Sequence, residues 1–283
     1  MRGVVFCGDC TVELATVPDP TPGPGEVVLE IKASGMCGSD LHVYRRARDI
    51  SSAGVIRGHE PCGVVVAVGP GTVGAHAHVG APVMVHHYHG CAGCEQCRSG
   101  WPQMCQSVPV TVYGEDAHGA HAPFMKVRAD TLVPLDERLS FAAGAAISCG
   151  TGTAWGAFER MGLTGRDTVA IFGQGPVGLS ATLLAKAQGA RVIALDIDDE
   201  RLATSRRAAP TSSSIHVALT CRRSFGTSRA GEALVWCWKP PGRLRQGRTP
   251  SAPRANGERS ALSASVLRSL LRSLKSSVAN SAS

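Results

Sequence analysis

Residues 167–196 read DTVAIFGQGPVGLSATLLAKAQGARVIALD. The apolar run ending at Phe172 has the length of a buried strand, and Gly173, Gly175 and Gly178 follow it at G-x-G-x-x-G spacing, with Gln174, Pro176 and Val177 between them. Residues 179–188 read as a helix, and residues 191–195 as a second strand ending at Asp196. Three glycines alone are a weak signal. Strand, glycine turn, helix, strand and terminal acid in this order form a dinucleotide-binding pattern. Glycines let the main chain approach a pyrophosphate, whose charge rests on the free N–H groups at the helix start. Asp196 is placed to accept from a ribose 2′-hydroxyl and to repel a 2′-phosphate. The next basic residue is Arg201, so NAD is favoured over NADP.

Upstream, Val-rich runs at 26–32, 63–68 and 82–86 are separated by Gly and Pro, which are strand and turn signals. They predict a compact β barrel or sandwich, and the Ala/Gly-rich stretch 140–162 predicts helical packing before a change of domain. Cys91, Cys94, Cys97 and Cys105 are spaced C-x2-C-x2-C-x7-C, dense enough to close around one tetrahedral zinc ion. Two disulfides or four unconnected thiols are the rival readings. The odd total of 11 cysteines and a first ten residues without the apolar core of a signal peptide weigh against disulfides and predict a cytoplasmic protein with reduced thiols.

With 283 residues and 43% hydrophobic content, the chain has room for about two domains, and no apolar run reaches the roughly 18 residues of a membrane span. The net charge of +7 would suggest nucleic acid, but its location argues otherwise. Residues 211–283 hold 12 of the 29 Lys+Arg and 2 of the 22 Asp+Glu, so this tail carries +10 and the rest −3. No nucleic-acid partner is expected.

The remaining chemistry-bearing residues are scattered: Cys37 in CGSDLH, His59 and Glu60 in GHE, Cys149 in SCGTGT. Spacing alone does not join them. In order and context, together with the glycine and cysteine motifs, they make residues 1–209 resemble the zinc-containing medium-chain dehydrogenases, the alcohol and polyol dehydrogenase family. The resemblance implies a two-domain protein of α+β and α/β class. A GroES-like β-barrel catalytic domain occupies residues 1–150, and an incomplete Rossmann-type NAD-binding domain residues 151–209. It further implies a catalytic zinc on Cys37, His59 and Cys149 with Glu60 close behind, beside the structural zinc of the four cysteines. Asp40 would orient the His59 ring, Ser39 and His42 would relay a proton, and Thr153 would contact the nicotinamide side. The implied reaction is NAD-linked oxidation of a small primary or secondary alcohol, polyol or amino alcohol, by a chain able to form homo-oligomers. The competing expectation is a catalytically silent zinc-binding remnant without a complete cofactor site.

Other features have plainer readings. Cys7 and Cys10 form a C-x-x-C outside any thioredoxin-like context, His86, His87 and His89 read as loop and strand-end residues, and Trp155 as packing. Past about Pro210 the resemblance stops. Residues 210–283, rich in Ser, Arg and Pro, read as a disordered basic tail. Within it, residues 215–219 offer a third strand, and Leu262, Val266, Leu267, Leu270, Leu271, Leu274 and Val278 share one helical face among Arg268, Arg272 and Lys275.

Overall fold

The structure is a computed structural model. It describes residues 1–48 and 54–208 in full, and the main chain of three strands at 214–218, 234–239 and 243–248.

The chain opens with the hairpin β1 (Arg2–Gly8) and β2 (Thr11–Thr16). Its two loop residues, Asp9 and Cys10, have φ of 47° and 58°, the left-handed pair that matches the twist of a tight hairpin. The C-x-x-C therefore spans a turn. Then come β3 (Glu26–Gly35), α1 (Asp40–Arg45), β4 (Glu60–Val68), β5 (Pro82–Val85) and β6 (Tyr88–His89). After a cysteine-rich loop with the short α2 (Glu95–Arg98) come β7 (Thr111–Val112), β8 (Phe124–Arg128) and β9 (Leu132–Pro134).

An antiparallel five-stranded sheet in the order β8-β3-β4-β5-β9 builds the first core. Val27 and Leu29 on β3, Val65 on β4, Val83 and Val85 on β5, and Met125 and Val127 on β8 are sealed from solvent. On β8 the buried pair is two residues apart, the period that puts side chains on one face of a strand. These strands confirm the Val-rich runs of the sequence.

The connection to the second core is helical: α3 (Phe141–Ala146), a π turn (Ile147–Thr151) and α4 (Gly152–Met161). Ser140 caps α3 by accepting the Ala143 N–H at 3.1 Å. Gly162, at φ 59°, ends α4 in the left-handed conformation that suits a helix stop. Next are β10 (Thr168–Phe172), α5 (Pro176–Ala187), β11 (Arg191–Asp196) and α6 (Asp199–Ala208). The helix expected at 179–188 starts three residues earlier, because proline with its fixed φ is well placed in a first turn. Phe158 and Met161 of α4, Ala181 and Ala185 of α5, and Val169, Ile171, Val192 and Ala194 of the strands make one buried cluster. The alanines let α5 lie close on the sheet.

Three further strands, β12 (Ser214–Ala218), β13 (Leu234–Lys239) and β14 (Arg243–Arg248), complete the order β12-β11-β10-β13-β14. β12 is parallel to β11, with Ser214 opposite Val192, as the expected third strand requires. β13 and β14 also lie within the stretch 210–283, which from composition reads as a disordered basic tail. The segment LVWCWK is dense in β-branched and aromatic residues, which favour strands, and tail composition averaged over a longer window hides it. β13 runs antiparallel to β10. The amphipathic pattern at 262–278 lies outside the described residues.

Phe158 is 1% exposed at the centre of its cluster, whereas Leu183 on the outer side of α5 is 43% exposed. Phe158→Ala is expected to lower unfolding stability by about 3–5 kcal/mol and Leu183→Ala by less than about 0.5 kcal/mol, measured by urea denaturation.

Candidate active site

Four ligand-type side chains from three places in the chain meet between the two cores. Cys37 follows β3, His59 immediately precedes β4, Glu60 opens β4, and Cys149 sits in the π turn. Their donor atoms all lie within 4.8 Å of one another. The Cys37 and Cys149 Sγ atoms are 3.9 Å apart. Zinc–sulfur bonds of about 2.3 Å set a tetrahedral edge of about 3.8 Å, so this donor set fits zinc. A π turn widens the helix by one residue, a distortion common at functional sites.

Asp40, 4% exposed, stands behind the set. Its Oδ2 accepts the Cys37 N–H at 2.8 Å, and its Oδ1 lies 3.4 Å from His59 Nδ1. The other ring nitrogen, Nε2, is 3.4 Å from Ser39 Oγ. The carboxylate therefore orients the ring with Nε2 on the Ser39 side. His42 is exposed on α1, and the contact joining it to Ser39 is main-chain, from the His42 N–H to the Ser39 carbonyl at 3.0 Å.

Proximity polarises the group. The hydrogen bond from the Cys149 thiol pulls Cys37 down to about 3 against the effect of burial, and the same bond, with burial, raises Cys149. Burial opposes a charged His59, but hydrogen bonds to Asp40 and Cys37 lift it to about 10. Glu60 is raised to about 7 by burial and then by the Cys37 charge.

The four-cysteine loop forms the second donor cluster, its sulfurs all within 4.8 Å of one another. Cys91 and Cys97 Sγ are 3.9 Å apart, as are Cys94 and Cys105 Sγ, again the edge of a zinc tetrahedron. Cys91 Sγ accepts the N–H groups of Cys94 at 3.2 Å and Gly93 at 3.4 Å. Main-chain N–H groups of Cys97 and Gln106 bring Cys94 down to about 6. A Cβ on Gly90 would stand 2.6 Å from Cys97 Sγ, so only glycine lets the chain pass the cluster.

At the end of β10, Gly173 adopts φ +87° and donates its N–H to the Leu195 carbonyl at 2.7 Å. The next N–H, of Gln174, goes to Asp196 Oδ2 at 2.5 Å, while Asp196 Oδ1 accepts the Asp198 N–H at 3.0 Å. Thus Asp196 also pins the glycine loop to the end of β11. The buried Gln174 side chain donates to the Ile171 carbonyl and accepts from Thr182 and Ser205, joining β10, α5 and α6. Gly175 stands at the N-cap of α5, before Pro176, Val177 and the buried Gly178, and no atom lies within 4 Å of where its Cβ would be. That open approach to a helix start fits a pyrophosphate.

A cleft of about 420 Å³ is lined by His87, Tyr88, Trp101, Gln103, Cys149 and Thr153, among others. Trp155, read from sequence as packing, is 48% exposed and also lines the cleft. His87 is 8% exposed, its ring centroid 5.0 Å from that of His59, and burial pushes it well below the usual imidazole range. From sequence His87 reads as a loop or strand-end residue and Gln103 carries no signal, yet both line the cleft. The run HHYH just before the four-cysteine loop was the available signal, but no spacing rule connects it to Cys37 or Cys149. Among the described residues, no helix is long and apolar enough to cross a membrane.

The alcohol dehydrogenase GroES-like domain family matches residues 23–137. An uncharacterized zinc-type alcohol dehydrogenase-like protein of Escherichia coli K12, YphC, is 41% identical over 216 residues, covering 73% of this chain and 61% of its own. An alcohol dehydrogenase of Geobacillus stearothermophilus is 34% identical over 198 residues, covering 69% of this chain and 58% of its own. A crystal structure of an NAD-dependent alcohol dehydrogenase superposes with a TM-score of 0.69 at 30% identity, over 78% of this chain and 64% of that one. The chain thus spans less than two thirds of the length of these relatives. Its antiparallel sheet is the core of a GroES-like domain and its β10–β12 unit that of a Rossmann-type domain, and the chain belongs to the zinc-containing medium-chain dehydrogenase family.

Proposed function

We propose that the protein is a zinc-dependent dehydrogenase that oxidises a small primary or secondary alcohol, polyol or amino alcohol, with NAD as acceptor. The observation that carries this reading is the convergence of Cys37, His59, Glu60 and Cys149 within 4.8 Å, beside a cleft that Cys149 itself lines. Cys37, His59 and Cys149 would hold the catalytic zinc, with Glu60 behind them, and the ion would supply Lewis acidity there. Cys91, Cys94, Cys97 and Cys105 would hold a second, structural zinc.

When bound, zinc supplies the Lewis acidity that eases loss of an alcohol proton, and the nicotinamide ring supplies the hydride acceptor. Asp40 keeps Nδ1 of His59 protonated and so presents the Nε2 lone pair to the metal. Ser39, whose Oγ is 3.4 Å from that Nε2, takes the alcohol proton, and His42 at the surface releases it to solvent. Gly173, Gly175, Pro176, Val177 and Gly178 receive the pyrophosphate at the start of α5, Asp196 the adenosine ribose, and Thr153 the nicotinamide side. The carboxylate at Asp196 favours NAD over NADP.

A second reading, a catalytically silent zinc-binding remnant, is favoured by β13. It runs antiparallel beside β10, at the side where a doubly wound sheet continues with parallel strands and opens its cofactor crevice.

Elemental analysis of the purified chain is expected to give two zinc ions, and Cys37→Ala and Cys94→Ala one each. NADH formation with a panel of alcohols, polyols and amino alcohols separates the two readings: turnover that Cys37→Ala reduces to background supports the enzyme, and two bound zinc ions with no turnover support the remnant. Asp40→Asn is expected to weaken zinc at the buried site by about 10–100-fold, read by chelator competition.

The raised pKa values of His59 and Cys149 mean that zinc must displace protons from both, whereas Cys37 is already a thiolate. Affinity at this site therefore rises with pH, by up to about a hundredfold per unit near neutrality. Chelator competition at pH 6 and pH 8 checks this, and equal affinities would contradict the assignment.

A further inference from the structure

The cleft beside the metal donors has two unlike walls. On one side lie Gly100 and Trp101 of the four-cysteine loop, and on the other Thr153, Trp155 and Gly156 of α4. Trp101 bridges them. Two carbons of its indole ring lie 3.3 Å from where a Cβ on Gly156 would stand, and the Arg160 guanidinium is 4.3 Å from the ring centroid. Gly156 and Arg160 are four residues apart and so share one face of the helix. The ring therefore sits in a notch of α4, between a residue without a side chain and a cation that is attracted to its face.

Gly156 is costly where it stands. It has ordinary helical backbone in the interior of α4, where glycine disfavours the helix about fivefold relative to alanine. The close approach of Trp101 accounts for it, because a methyl group at 3.3 Å would crowd the ring. At its other end Trp101 is tied into the cysteine loop. Its N–H donates to the Gln96 carbonyl at 2.9 Å, and its carbonyl accepts the Met104 N–H at 2.9 Å. It stands between Cys97 and Cys105, two members of the four-sulfur cluster. A shift of the loop is therefore a shift of the ring.

We infer that Trp101 is a positioning residue, a latch through which metal in the four-cysteine loop holds α4, and with it the Thr153 wall of the cleft, in place. Coupling of this kind travels along a contiguous packed path, and the sulfur cluster, the loop main chain, the indole ring and the helix form one. The inference rests on the proposal that the loop holds zinc, and not on turnover or on the choice of substrate. Loss of that metal loosens the cleft wall without removing any of the Cys37, His59 and Cys149 donors.

Native-state hydrogen exchange of the zinc-loaded full chain, read by mass spectrometry, tests the latch on peptides from α4, with β8 as the internal control. Trp101→Ala is expected to speed exchange in α4 by about tenfold, with β8 and the zinc content unchanged, and Trp101→Phe to restore part of the protection. Gly156→Ala should leave α4 no slower in the otherwise unaltered chain, yet slow it by about fivefold beside Trp101→Ala, where the notch is empty. Cys94→Ala, which removes a donor from the loop, should speed α4 as Trp101→Ala does, and the two together should add nothing further. If Cys94→Ala does not fold, Cys105→Ser makes the same comparison. Exchange in α4 that responds neither to Trp101→Ala nor to loss of the loop metal, or to only one of them, overturns the inference, while two bound zinc ions leave the metal reading standing. A loop that holds no zinc in the unaltered chain overturns both.

Discussion

The buried carboxylate of Asp40 is the constraint on which the site's geometry turns. It accepts the main-chain N–H of Cys37 and faces Nδ1 of His59, so one side chain fixes the positions of donors from either end of the β3–β4 connection. Burial alone would protonate such a group. The His59 hydrogen bond and charge outweigh that tendency and hold Asp40 below the usual carboxylate range. A carboxylate buried in this way is costly unless paired, and its pairing here also sets the face of His59 turned to the thiols. The antiparallel sheet makes the arrangement possible by placing Gly35 of β3 opposite Glu60 of β4, which brings the two donor-bearing segments side by side.

Cys149 reaches the same point from the other direction. The π turn that carries it continues directly into α4, so a metal donor and the cleft residue Thr153 stand on consecutive turns. Thr151, between them, shares a 3.0 Å hydrogen bond with Ser180 of α5, the helix that the glycine loop opens. The candidate metal centre and the glycine loop are therefore joined through one short helical segment. The widened turn lets Cys149 face Cys37 while its neighbours continue the helix.

Legibility in the sequence follows the range of the interaction. The glycine loop and the four-cysteine cluster are local in sequence, so the cysteine spacing reports one and the order of strand, glycine turn and helix the other. The parallel β10–β11 pair was legible for the same reason. The convergence of Cys37, His59 and Cys149 depends on strand pairing and on the π turn, and spacing does not encode either. Only resemblance joined those residues. His87, which reads as a loop residue, and Gln103 line the cleft only because the fold brings their loops together, and no local spacing encodes that. The strand β13 was hidden for a compositional reason: its Val235, Trp236 and Trp238 are outweighed by the Ser- and Arg-rich stretches around them. Asp196 shows that a correct motif can still understate a residue, since its carboxylate also buttresses the Gln174 N–H.

As proposed, the Cys37, His59 and Cys149 cluster would be an open metal site facing the cleft, distinct from the closed four-thiolate site. Visible absorption of the cobalt(II)-substituted protein reports it most directly, because tetrahedral cobalt bands respond to any change of ligand. Two superposed tetrahedral spectra are expected, one of which shifts when an alcohol is added while the four-thiolate component stays constant. A spectrum of the four-thiolate type alone, or one that no alcohol alters, would contradict it.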